Sequence, residues 1–283
     1  MSDFLQKTFF ITGVSSGFGQ ALAAAALDAG HRVVGTVRNA EAARNFEAQR
    51  SGRAFARLLD VTDHLAVGQV VESVEKAIGP VDVLVNNAGY GHEGILEESP
   101  LEELRHQFDV NVFGAVAVIR AFLPFMRARR RGRILNITSM GGTITMPGIS
   151  YYCGSKFALE GISETLGKEV AGFGIDVVAV APGSFRTDWA GRSMVRTPRS
   201  IGDYDKLFDP VRARREAISG QQRGDPEKAA AAMLRLATSP QRPPARVLLG
   251  SDAFELVRQS LLDRLEDMAQ WEDVTRSTDH AAS

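Results

Sequence analysis

The chain has 283 residues, 44% hydrophobic and 24% charged, with a formal net charge of -1. That is a globular composition, long enough to bury a core without disulfides or metals, and it argues against general electrostatic attraction to nucleic acid or an anionic membrane. A single cysteine, Cys153, excludes an intramolecular disulfide and fits a reducing, cytoplasmic compartment.

Residues 1–7 lack a charged leader followed by an apolar run, so no secretory signal is expected. Short β-branched runs then alternate with helix-length stretches. The runs at 8–12, 32–37, 54–59, 81–86, 133–138 and 175–181 are almost continuously apolar, as strands buried on both faces of a parallel sheet are. None is long enough to span a bilayer, so no membrane span is expected. Helices are expected at 17–30, 63–78, 101–129 and 150–171, then at 226–238 before a seventh strand at 246–250. Strand then helix, repeated, predicts an α/β fold: a doubly wound parallel seven-stranded sheet with helices on both faces. Residues 183–224 carry no sustained period and read as a loop or lid that orders on binding. Residues 253–271 read as an amphipathic C-terminal helix through Phe254, Val257, Leu261, Leu265 and Met268, and 275–283 as a frayed polar tail. With no repeat and no linker, the whole of 1–283 reads as one domain.

Chemistry begins at the first turn, Thr12-Gly13-Val14-Ser15-Ser16-Gly17-Phe18-Gly19. Glycines between a first strand and a helix let a pyrophosphate approach free backbone N–H groups at the helix N-terminus. The spacing resembles the T-G-x-x-x-G-x-G fingerprint of the short-chain dehydrogenase/reductase family, in which this turn holds a nicotinamide dinucleotide. At the tip of the second strand, where an NAD site places a carboxylate, stand Val37 and then Arg38. A guanidinium there suits a 2′-phosphate, so NADP(H) is expected over NAD(H). The resemblance continues at Asp60-Val61, where the family's Asp meets the adenine, and at Asn86-Asn87-Ala88-Gly89, its N-N-A-G signature.

Tyr152 and Lys156, four residues apart, would share one helix face, where an ammonium favours a phenolate that can exchange a proton with a carbonyl or alcohol oxygen. Tyr151 lies off that face. Ser139 follows the fifth strand, 13 residues before Tyr152, and this interval matches the family. Asn111 matches its catalytic asparagine, and Pro182-Gly183 with Thr187 match its P-G-x-x-x-T element beside the nicotinamide. The resemblance implies that Tyr152 is the general acid/base and that Ser139 holds the substrate oxygen. It further implies that Lys156 binds the nicotinamide ribose and lowers the tyrosine pKa, and that Asn111 holds a relay water. The Asn87-Ala88-Gly89-Tyr90-Gly91 wording and the C-terminal extension are similar to the hydroxysteroid- and retinol-dehydrogenase-like branch; the family resemblance implies a homodimer or homotetramer, with the extra C-terminal helix able to cover one interface.

The function so read is carbonyl–alcohol interconversion on a small molecule, with a non-catalytic NADP-binding regulator as rival and epimerase or lyase chemistry as a third reading. The pocket walls would be 90–94, 140–146 and the 183–224 loop, with Met140, Ile144, Met146, Phe185, Trp189 and Met194 as apolar lining. Cys153 reads as a packed thiol. The five histidines show no metal-ligand spacing, so no metal is expected, and the arginines of 127–133 read as a solvated helix end.

Overall fold

A computed structural model describes residues 5–191 and 193–280. In chain order the first half runs β1 (Thr8–Ile11), α1 (Gly17–Asp28), β2 (Arg32–Val37), α2 (Ala40–Glu47), β3 (Ala54–Leu58), α3 (His64–Ala77) and β4 (Val83–Asn86). Next come β5 (Gly91–Glu93), α4 (Leu101–Phe108), α5 (Ala115–Ala128), β6 (Gly132–Ile137), α6 (Ser150–Val170) and β7 (Ile175–Pro182). The chain ends with β8 (Met194–Arg196), α7 (Asp205–Ile218), α8 (Pro226–Thr238), β9 (Arg246–Leu249), α9 (Ser251–Gln270) and α10 (Glu272–Arg276).

Seven strands pair in the order β3-β2-β1-β4-β6-β7-β9, all parallel. The expected doubly wound sheet is therefore present. β1 shows why its strands carry no polar alternation: Phe9 and Ile11 enter the core under α1 and α8, while Phe10 enters the opposite core under α3, α5 and α6. The order reverses between β1 and β4, so their carboxyl ends diverge and open a crevice, the usual place for a ligand in such sheets.

Three expectations need correction, and one helix was not anticipated. The helix expected over 101–129 is interrupted by a π-helical turn, Asp109–Gly114, between α4 and α5. The turn is widened where Asn111 bonds to the Tyr90 backbone and Gly114 lies against Val61, whose Cγ2 would be 2.7 Å from an added Cβ. α2 was not anticipated, although Asn39 caps it by accepting from the Ala42 N–H at 2.8 Å.

The 183–224 segment is folded, with a 3-10 turn at Asp188–Ala190, β8 and α7. Its anchors are two carboxylates whose side chains are 1% exposed. Glu93 meets Arg196, Arg212 and Arg215, while Glu98 pairs with Arg199 and accepts from the Ser200 and Ile201 N–H groups. Charge pairing between distant positions replaces an apolar stripe, so no period shows. Lastly, α9 does not bury its stripe. Ala253 and Val257 are buried, but Phe254, Leu261, Leu265 and Met268 face solvent. Asp252 ties its first turn to the Ser184 N–H at 2.7 Å, and Arg264 reaches the Thr143 carbonyl.

Of the expected frayed tail, residues 275–276 close α10, and 281–283 lie outside the described residues. Leu101–Ala128 is long and apolar enough to cross a membrane by length and composition. Its Val118, Ile119, Phe122 and Met126 pack against the sheet.

Candidate active site

The glycine turn sits at the β1 end of the crevice. Gly13 and Gly17 adopt φ of +73° and +58°, a region that L side chains rarely occupy. An added Cβ on Gly19 would stand 2.1 Å from the Gly13 carbonyl oxygen. Neighbouring strands hold the turn. The Thr12 hydroxyl accepts from the Asn87 and Ala88 N–H groups, both at 2.9 Å, and Thr36 accepts from the Gly13 N–H at 3.0 Å. Ser16 caps α1 without bonding its first-turn N–H groups through its own side chain. These groups, with the positive end of α1, form a cradle that fits a dinucleotide pyrophosphate. Ser15 is exposed at the tip, and Phe18 packs edge-on to Phe185 at 5.1 Å.

At the β2 tip Val37 is buried and Arg38 is exposed. Asp60 accepts from the Thr62 N–H at 2.9 Å and the Thr62 hydroxyl at 2.7 Å. These bonds, then the charges of Arg38 and His106, hold its carboxyl below the usual range. Arg38 and Asp60 therefore share one mouth. Asn86 lies inside the sheet, donating to Asn136 at 2.8 Å, and Ala88 and Gly89 form the crevice floor beyond it.

Ser139, Tyr152 and Lys156 converge past the ends of β6 and α6, and all three are buried. The Ser139 hydroxyl accepts from the Gly141 N–H at 3.0 Å and hydrogen-bonds Tyr152. Lys156 donates to the Ile137 carbonyl at 2.9 Å, and its Nζ is 5.8 Å from the Tyr152 ring centroid. Asn111 accepts from the Tyr90 N–H and donates to the Tyr90 carbonyl and the Ser155 hydroxyl, each at 3.1 Å. A Cβ on Gly89 would stand 3.0 Å from Asn111 Oδ1 and 3.7 Å from Lys156 Nζ. Thr187 lies opposite the glycine turn, 3.7 Å from where a Gly17 Cβ would be, and the Gly183 N–H donates to the Leu249 carbonyl at 2.8 Å after Pro182 ends β7.

The family model for short chain dehydrogenase matches residues 7–195. This chain belongs to the short-chain dehydrogenase/reductase family. It is an NAD(P)-dependent oxidoreductase. A short-chain dehydrogenase structure from Streptomyces avermitilis is 41% identical with a TM-score of 0.90, covering 99% of this chain and 100% of that one. A 3-ketodihydrosphingosine reductase of Bacteroides thetaiotaomicron is 37% identical over 86% of this chain and 88% of its own. An NADPH-dependent 3-dehydrocapnine reductase of Ornithobacterium rhinotracheale is 32% identical over 95% and 97%.

Electrostatics in this dehydrogenase differ from the expectation that Lys156 lowers the tyrosine pKa. Burial pushes the Tyr152 hydroxyl up to about 12, with Ser139 opposing. Burial also pulls Lys156 down to about 8, with the Glu160 carboxylate opposing. The ammonium is bonded to the Ile137 carbonyl, with its nitrogen 5.8 Å from the Tyr152 ring centroid. Glu160 was not singled out from the sequence. It is buried, accepts from Thr138 at 2.6 Å and pairs with Arg246 at 2.7 Å. Asn87 was quoted only within its motif, yet its amide bonds both the Thr12 and Gly13 carbonyls at 2.9 Å.

Among the expected lining residues, Met146 and Trp189 pack with Ile149, Tyr152 and Cys153. Met194 and Trp189 lie against Gly91, where an added Cβ would be 2.9 Å from Met194 Cε and 3.0 Å from Trp189 Cε2. Met140 and Ile144 flank Gly141, which an added Cβ would press to 3.4 Å from Tyr152 Cε1. Phe185 is the exception. It joins the core beneath α1 and α8, because Phe18 and Gly224 receive it there.

Proposed function

We propose that this oxidoreductase interconverts a lipophilic ketone or aldehyde with its alcohol, prefers NADP(H), and uses Tyr152 as the general acid/base. The observation that carries the reading is the buried Ser139–Tyr152 hydroxyl pair at the carboxyl edge of the sheet, with Lys156 one helical turn away. What a bound nicotinamide supplies is hydride exchange at the substrate carbon. The chain's own residues manage the oxygen. Ser139 holds it by a hydrogen bond, and Tyr152 gives it a proton in reduction or takes one in oxidation. Lys156 and Asn111 line the path by which that proton is replaced. A non-catalytic regulator would have no use for a lysine buried beside that pair.

The pyrophosphate would rest on Gly13, Ser15, Ser16, Gly17 and the α1 N-terminus. Arg38 would meet a 2′-phosphate, and Asp60 and Val61 the adenine. Ala88, Gly89, Pro182, Gly183 and Thr187 would bound the nicotinamide end. The NADPH dependence named for the 3-dehydrocapnine reductase relative supports the cofactor preference. The apolar wall of Met140, Ile144, Met146, Trp189 and Met194 supports a lipophilic substrate. A homodimer or homotetramer would use the apolar groove between α5 and α6, lined by Val116, Ile119, Leu123 and Ile162. NADPH oxidation against a carbonyl panel that includes 3-ketodihydrosphingosine tests the reading. Activity with NADPH that Tyr152→Phe abolishes is expected, and no turnover of any carbonyl or alcohol would overturn it.

A further inference from the structure

Below Tyr152, one face of α6 carries Lys156, Glu160 and Ser163, at helical spacings of four and three. All three are buried, and they are bonded to three consecutive residues at the end of β6. Ser163 accepts from the Asn136 amide at 2.8 Å, Lys156 donates to the Ile137 carbonyl at 2.9 Å, and Glu160 accepts from the Thr138 hydroxyl at 2.6 Å. The next residue is Ser139. Glu160 also touches the chain on the far side of that serine. A Cβ on Gly142 would stand 2.8 Å from Glu160 Cγ, and the Gly142 N–H donates to the Ser139 carbonyl at 2.9 Å. Ser139 is thus the middle of a short span whose two flanks rest on one side chain. The other carboxylate oxygen of Glu160 faces Arg246 of β9 at 2.7 Å, and that arginine side chain is 38% exposed. A surface ion pair needs no buried carboxylate, and burying one is costly unless its oxygens are bonded. The buried position is explained by what Glu160 holds.

We propose that Glu160 is a positioning residue of the reaction proposed above: it fixes the Ser139 hydroxyl against the reacting oxygen by holding Thr138 and Gly142 on either side of it. The inference rests on the assignment of Ser139 as the group that holds that oxygen. Glu160 touches neither substrate nor cofactor and exchanges no proton with them; it acts through the backbone of 138–142. A hydrogen-bond donor stabilises developing charge only where it is aimed, and a displacement of about 1 Å can cost on the order of 10²-fold in rate. The serine and the tyrosine come from different elements, β6 and α6, so their spacing needs a device that ties the two together. The Glu160–Thr138 bond supplies it. The same helix face that carries Tyr152 grips the strand end that carries Ser139, and both hydroxyls take their places from one rigid helix. Gly141 lies between them, where an added Cβ would stand 3.3 Å from Ser139 Oγ and 3.4 Å from Tyr152 Cε1.

Three variants separate the parts. Thr138→Val deletes the hydroxyl and keeps the shape. Glu160→Ala removes the support of both flanks and leaves Arg246 free to turn to solvent. Glu160→Gln keeps a side chain of the same length that can still bond the Thr138 hydroxyl. With the best carbonyl of the panel, Thr138→Val and Glu160→Ala should lower kcat about tenfold or more, with KM and the NADPH dissociation constant within a few-fold. Glu160→Gln should recover most of that loss. In a Ser139→Ala background, followed by single-turnover NADPH absorbance, none of the three should change the residual rate by more than about twofold, because the group they position is gone. Equal losses in both backgrounds overturn the proposal, since a residue that only stabilises the fold acts on either alike. Full activity in Glu160→Ala overturns it too. Hydrogen exchange gives a second readout that needs no turnover. The amides of 141–143 should exchange faster in Thr138→Val and Glu160→Ala while those of β1 keep the parent's rates, and unaltered exchange at 141–143 overturns the proposal. A parent enzyme without activity, or one indifferent to Ser139→Ala, overturns the proposed function itself, and with it any catalytic purpose for the span.

Discussion

Tyr151 and Tyr152 are adjacent in sequence and meet different surroundings. The Tyr151 hydroxyl donates to the Ser99 carbonyl at 2.8 Å, and its ring stacks on His92 at 4.9 Å. Tyr152 lies beside Ser139, with its ring 5.0 Å from that of Trp189. Tyr152→Phe should therefore lower turnover roughly 10²–10⁴-fold while NADPH affinity, measured by fluorescence titration, stays unchanged. Tyr151→Phe should keep turnover within a few-fold and lose about 1 kcal/mol in urea unfolding, the worth of one hydrogen bond. Comparable activity losses in both variants would show that the proton passes elsewhere. Arg38 is the other decisive side chain. A lost hydrogen bond to a charged group costs on the order of 1.5–3 kcal/mol. Arg38→Ala should thus cut the ratio of NADH to NADPH dissociation constants at least about tenfold. Equal affinities already in the parent would remove the argument.

The lid is held as an element by carboxylates beneath it. Glu93 lies in β5, directly beside Arg196 of the paired β8, and also meets Arg212 and Arg215 of α7. Taking one partner from a buried ion pair leaves the other charges uncompensated, at a cost on the order of 3 kcal/mol. Glu93→Gln should lower the thermal midpoint and speed limited proteolysis within 183–224, relative to a parent whose lid resists cleavage. NADPH with a carbonyl ligand should slow that cleavage again. Equal proteolysis of parent and variant would mean that the lid is held by its apolar contacts instead.

Lys156 makes a prediction for the whole molecule. Its pKa falls from 10.5 in the unfolded chain to about 8 in the fold, because burial opposes the charge. The unfolded state therefore binds more protons between those values, and stability rises with pH across the window. The contribution is full above 10.5 and is lost as pH falls through about 8. Tyr152 shifts the opposite way, up to about 12, so its contribution is full below 10 and lost as pH rises through 12. Between pH 8 and 10 the lysine acts without that opposition. Urea unfolding of the parent should thus gain about 2 kcal/mol relative to Lys156→Met across this window. Parallel pH profiles for the two proteins would refute it.

Seven strands, the glycine turn and the Tyr152–Lys156 interval were legible in the sequence, while Asn111 and Ser139 came from the family resemblance. The first three depend on residues close together in the chain: unbroken apolar runs, glycines between a strand and a helix, and an interval of four along one helix face. What only the tertiary structure decided depends on contacts between distant segments. Glu93 meets arginines more than a hundred residues away, so the lid's order left no period to read. Asn86 belongs to a motif of the crevice, yet its amide turns to Asn136 on the next strand. The α9 stripe promised burial, but the helix runs past the body after its first turns, and period alone cannot say whether a surface waits to receive it. Tyr152 was expected to titrate low because of a neighbouring cation. Burial, which depends on how every surrounding element packs, raised it instead.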